Sequence, residues 1–90
     1  MSEDPGERAK KYVANFEKAL KETKLVNVGD AGVKEADVRG IWDTIDRYLR
    51  DAGYYLEQGK PTTSLVSIAY AEGLLDALTF LKLAETKPLK

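Results

Sequence analysis

From Pro61 to Glu85 the chain sets apolar residues on nearly every side of what their spacing makes a helix. Leu65, Val66, Ile68, Ala69, Tyr70, Ala71, Leu74, Leu75, Ala77, Leu78, Phe80, Leu81 and Leu83 cannot share one face at 100° per residue. Ile68, Ala71, Leu75 and Leu78 fall in one stripe. Tyr70, Leu74, Ala77 and Leu81 fall in a neighbouring one, and Glu72, Asp76 and Thr79 make the polar edge. A helix apolar around most of its circumference must be covered on several sides. The segment therefore predicts a central place in a bundle or a place at a subunit interface. It does not predict a membrane span, because Ser67, Glu72, Gly73, Asp76, Thr79 and Lys82 interrupt the stretch from Leu65 to Leu83.

The elements that could cover it are legible upstream. Val38, Ile41, Trp42, Ile45, Tyr48, Leu49, Ala52, Tyr55 and Leu56 lie within a narrow arc of a second helix. Arg39, Asp43, Asp46, Arg47, Arg50 and Asp51 face the other way, with i,i+4 charge pairs such as Arg39/Asp43 and Asp46/Arg50. Gly59 is placed to end this helix in the left-handed region, and Pro61 to open the next. Asp4-Pro5-Gly6-Glu7 reads as the capped start of a first helix. Its buried stripe is Ala9, Tyr12, Val13, Phe16, Ala19, Leu20 and Thr23. Between Lys24 and Lys34 the turn residues Asn27, Gly29, Asp30 and Gly32 alternate with Leu25, Val26, Val28 and Val33. That mixture predicts an ordered connection folded over one end of the bundle. The expected fold is all-α: a single domain over 1–90, a three-helix up-and-down bundle without strands. Helices are expected at about 5–23, 35–58 and 61–85, with a long ordered connection between the first and second.

Composition narrows function by exclusion. Fourteen basic against fifteen acidic residues leave a net charge of −1, so no basic field invites nucleic acid or an anionic membrane. With neither Cys nor His, the usual zinc, haem and iron–sulfur ligands and most nucleophile–base pairs are missing. No enzyme activity, cofactor or metal is expected. The acidic start Met1-Ser2-Glu3-Asp4 has no signal-peptide character, and the expected location is cytoplasmic.

Two sets of residues remain as candidates. Glu72 and Asp76, one turn apart, present two carboxylates that could share a divalent cation or a proton. With Asp51, Tyr55 and Tyr70 they make a candidate polar site between the second and third helices. The other set is a surface. Tyr54, beside Gly53, points outward from the second helix and suits partner contact, and Tyr70, Leu74, Ala77 and Leu81 form an apolar stripe suited to pairing two copies.

The run Asp51-Ala52-Gly53-Tyr54-Tyr55-Leu56-Glu57-Gln58-Gly59, followed by Ile68-Ala69-Tyr70-Ala71-Glu72-Gly73-Leu74-Leu75-Asp76-Ala77-Leu78, resembles the archaeal domain-of-unknown-function family 357. The resemblance covers about half the chain. It implies a short three-helix up-and-down bundle with no assigned activity and an occasional attachment to a nucleotidyltransferase-like domain. The matching positions are Asp51, Tyr55, Glu57 and Gly59 on the first side and Tyr70, Glu72, Gly73 and Asp76 on the second. Lys60 stands where the family pattern has Asp, which weakens an acidic hairpin. The resulting expectation is a non-catalytic helical interaction module, with an unknown protein partner or a homodimer. The alternative is a small-ligand or divalent-metal site using Glu72, Asp76, Asp51 and Tyr55, linked to nucleotidyltransferase-type proteins.

Overall fold

The computed structural model describes residues 4–29 and 32–87; Met1 to Glu3 of the acidic start and Asp30 of the connection lie outside them. In chain order the elements are α1 (Pro5–Lys21), β1 (Thr23–Leu25), α2 (Glu35–Glu57), α3 (Pro61–Phe80) and β2 (Ala84–Thr86).

Asp4 caps α1, its carboxylate accepting from the Gly6 amide at 3.3 Å, and Pro5 takes the first helical position. Ala9 and Phe16 are buried, while Val13 and Leu20 pack partly buried against the core. α2 buries Val38, Ile45, Leu49 and Ala52, with Ile41, Trp42 and Tyr48 at their margin. On its outer side Asp46 pairs with Arg50 as the spacing predicts, whereas Arg39 turns back to Glu35 at 2.9 Å instead of forward to Asp43.

The stop after α2 is a hydrogen-bonded left-handed turn. Gly59 sits at φ 72°, its amide donates to the Leu56 carbonyl at 3.1 Å, and the Lys60 amide donates to Tyr55 at 2.8 Å. Pro61 then opens α3 against α2, the most extensive helix pairing in the molecule. Small side chains permit the approach. Ser64, fully buried, donates its Oγ hydrogen to the carbonyl of the equally buried Ala52 at 2.7 Å, tying the first turn of α3 to α2. Ile68, Ala71, Leu75 and Leu78 are buried as one stripe.

Two expectations are corrected. The chain is mainly helical but not all-α, because β1 and β2 pair antiparallel in the register Thr23↔Thr86, Lys24↔Glu85 and Leu25↔Ala84. The first helix, expected to reach Thr23, ends at Lys21, and the third, expected to reach Glu85, ends at Phe80. The physical reason lies in the turn after α3. Lys82 adopts φ 63°, its amide donates to Thr79 at 3.0 Å, and the Leu83 amide donates to Leu78 at 2.8 Å. This is the same terminating geometry as at Gly59, formed here by a lysine. The freed segment folds back so that Leu83 and Ala84 are buried and Val26 donates to the Leu83 carbonyl at 2.9 Å. Thr23 and Thr86 join their hydroxyls at 2.6 Å, and Asn27 donates its side-chain amide to the Lys82 carbonyl at 2.9 Å. Leu25 and Val28 of the connection pack on the core at this end.

Candidate functional site

The packing of α3 leaves one face of it outside the bundle. With Ile68, Ala71, Leu75 and Leu78 turned inward, Thr62, Val66, Ala69, Tyr70, Gly73, Ala77, Phe80 and Leu81 fall on the opposite arc and are exposed. The large side chains among them are open to solvent: Val66 at 53%, Tyr70 at 61%, Phe80 at 83% and Leu81 at 62%. The exposed Asp76 flanks this arc beside Ala69, and none of the eight residues named on it carries a charge. Scattered exposed apolar residues need no explanation, but a row running the length of a 20-residue helix, about 30 Å, is a continuous patch.

Of the candidate interface residues, Tyr70, Ala77 and Leu81 stand on this face. Leu74 lies at its edge, half-buried and packed on the core, so it serves both sides. Tyr54 does not join them. It is 58% exposed on the α2 face that carries Arg47 and Arg50, and its ring meets Tyr55 edge-on at 5.7 Å. Tyr70 instead stacks on Tyr48 of α2, with ring centroids 5.4 Å apart and planes 15° from parallel. That stack holds the Tyr70 ring against the bundle beside a shallow, mostly apolar hollow of about 280 Å³ lined by Val66, Ala69 and Tyr70. Val66, Ala69 and Phe80 were not among the candidates read from spacing. The signal that finds them is the apolar run that continues around the helix as far as Asp76, not the heptad-like stripe alone.

The candidate polar residues are distributed over different surfaces. Glu72 lines a cavity of about 310 Å³ with Tyr12, Asn15, Phe16 and Ala19 of α1. Asp51 lines another, on the outside of α2, with Asp43, Asp46, Arg47 and Arg50. Tyr55 is half-buried, and Asp76 is exposed one turn beyond Glu72. Burial against α1, and secondarily the neighbouring Asp76 carboxylate, raise the Glu72 pKa above its ordinary value of 4.5. Among the described residues no group of three or more Asp and Glu side chains is gathered as a metal ion would need. A further hollow, of about 460 Å³, lies between the two strands and the end of α3, lined by residues that include Asn27, Thr79, Lys82 and Thr86. It depends on the strand pairing, so helical spacing gave no sign of it.

Among the described residues no helix is long and apolar enough to cross a membrane. Neither a curated protein nor a solved structure matches the chain. A family model does, over residues 11–84, a span that takes in every element from the middle of α1 to the start of β2. It also covers both halves of the paired motif, from Asp51 to Gly59 and from Tyr70 to Asp76, and the chain belongs to that family, described as a protein of unknown function (DUF357).

Proposed function

We propose that the chain is a cytoplasmic, non-catalytic helical module whose working surface is the outer face of α3, where it binds another polypeptide. The observation that carries this reading is the solvent-open apolar row of Val66, Tyr70, Phe80 and Leu81 on a helix whose inner stripe is already filled. Water penalises such a surface by about 25 cal/mol per Å² of apolar area, so covering it is favourable wherever a partner of matching shape exists. The reading takes the bundle as up-and-down. It draws support from the short turn at Gly59, which makes α2 and α3 antiparallel, and from the β1–β2 pairing, which brings the end of α1 to the end of α3.

The test is site-specific photo-crosslinking in cells expressing the chain, with the photoreactive residue at Val66 or Tyr70 and, as a control, at Arg39 on the charged side of α2. The expected result is polypeptide adducts, the chain's own copy included, from the α3 positions and few from Arg39. Equal, background-level labelling at all three positions overturns the proposal.

A further inference from the structure

We infer that the occupant of the α3 face is a second copy of this chain, packed antiparallel about a two-fold axis that crosses α3 near Gly73. This rests on the reading of that face as an interaction surface and names its partner. The size of the face suits a second copy. Val66, Tyr70, Phe80 and Leu81 are each more than half exposed. Taking an aromatic side chain as about 200 Å², these four offer roughly 500 Å². With the smaller residues between them the face approaches the about 800 Å² per partner of a standard stable interface.

Its shape is self-complementary. The face is small in its middle, at Gly73 and Ala77, and bulky on either side, at Val66 and Tyr70 towards one end and Phe80 and Leu81 towards the other. A two-fold axis near Gly73 sets Tyr70 of each copy over Ala77 of the other and Val66 against Leu81, so that bulk meets recess twice. The Tyr48 stack keeps Tyr70 in place for this, which lowers the ordering cost of association. A hypothetical Cβ on Gly73 meets nothing within 4 Å, so the bundle leaves the space over Gly73 open to the close approach of a second helix.

Charge does not oppose the pairing. The face carries a single exposed carboxylate at its margin, Asp76, and so offers no charge pattern for a partner of another kind to complement. Two copies each at −1 repel one another only weakly.

The experiment is sedimentation equilibrium of the purified full chain across a dilution series, with circular dichroism on each variant. The wild type is expected to shift from one to two chain masses as concentration rises. Gly73→Leu and Ala77→Glu, both outside the core, are expected to stay at one chain mass with helicity retained. Because the chain has no cysteine, single replacements report orientation. Gly73→Cys near the axis is expected to form an interchain disulfide under mild oxidation, and Thr62→Cys at the far end is not. A single chain mass at every concentration, a dimer that both disrupting variants leave intact, or ready cross-linking through Thr62→Cys would overturn the inference. A monomer that still gives adducts from Val66 or Tyr70 in cells overturns this inference alone and leaves the interaction reading in place.

Discussion

Two polar residues on α3 show how a side chain's surroundings, and not its type, decide its energetic role. Ser64 is fully buried yet satisfied, because its hydroxyl finds the Ala52 carbonyl across a close helix contact. Glu72 is largely exposed yet perturbed, since its carboxyl lies against α1 and within one turn of Asp76. The sign of the consequence follows from linkage. A carboxyl whose pKa is raised on folding holds its proton more tightly in the folded state than in the unfolded one. Ionised Glu72 therefore opposes folding. That opposition is absent below pH 4.5, grows as pH rises, and is complete once pH exceeds the raised value. Glu72→Gln removes the titration, so urea midpoints of variant and wild type are expected to diverge in the variant's favour between acid and neutral pH. A difference that is flat, or that narrows as pH rises, would contradict the assignment. The sequence singled out Glu72 but showed the surroundings of neither residue. Glu72 read as half of a carboxylate pair on the polar edge of the helix and Ser64 gave no signal, because the spacing of residues along a helix does not say which neighbour lies against it.

At the scale of elements, the ends of α2 and α3 use one hydrogen-bonding geometry with two different residues. Gly59 takes its positive φ without steric cost, whereas Lys82 takes φ 63° against the contact between its Cβ and backbone, about 1 kcal/mol or more. Lys82→Gly is thus expected to be neutral to stabilising, by up to about 1 kcal/mol, once glycine's greater freedom in the unfolded chain is set against the relieved strain. Gly59→Ala is expected to destabilise by about 1 to 2 kcal/mol through backbone strain alone, since a Cβ there meets no atom within 4 Å. Thermal unfolding of the two variants checks both signs. A stabilised Gly59→Ala or a Lys82→Gly weakened by more than 1 kcal/mol would remove the common account. The same contrast explains which elements were legible. The α2 stripe and the stop at Gly59 follow from local spacing and a glycine. The stop at Lys82 carries no such signal, and Leu83 continued the apolar run. The strands were invisible for a related reason. Each is three residues long, and they pair across about sixty intervening positions, so their existence depends on where the bundle brings their ends. The candidate surface was half legible. Tyr70, Ala77 and Leu81 could be placed from the wheel, but telling their face from the buried one required knowing that α1 and α2 cover the other side.

For the whole molecule, the distribution of buried side chains implies unequal stability along the chain. α2 and α3 supply most of the core, among them Val38, Ile45, Ala52, Ile68, Ala71 and Leu78, each at 1% exposure or less. α1 contributes only Ala9 and Phe16 as buried residues. It is otherwise held through partly buried contacts and through β1, whose pairing with β2 ties it to the segment after α3. Local opening follows the units that bury least. The amides of Ile45, Ala52, Ile68 and Leu75 are therefore expected to exchange with solvent deuterium only on global unfolding. Those of α1 and β1 are expected to exchange through a cheaper opening that leaves the α2–α3 hairpin closed. Phe16 is the side chain that couples the two parts, and removing a buried phenylalanine costs about 3 to 5 kcal/mol. In a chain of 90 residues, with a total stability of about 5 to 13 kcal/mol, that loss is large. It falls first on the contacts of α1. Phe16→Ala should then strip protection from α1 and from both strands while hairpin amides lose less. Hydrogen exchange read residue by residue decides the matter, and uniform protection in the wild type, or an equal loss everywhere in Phe16→Ala, would show that the chain opens as one unit.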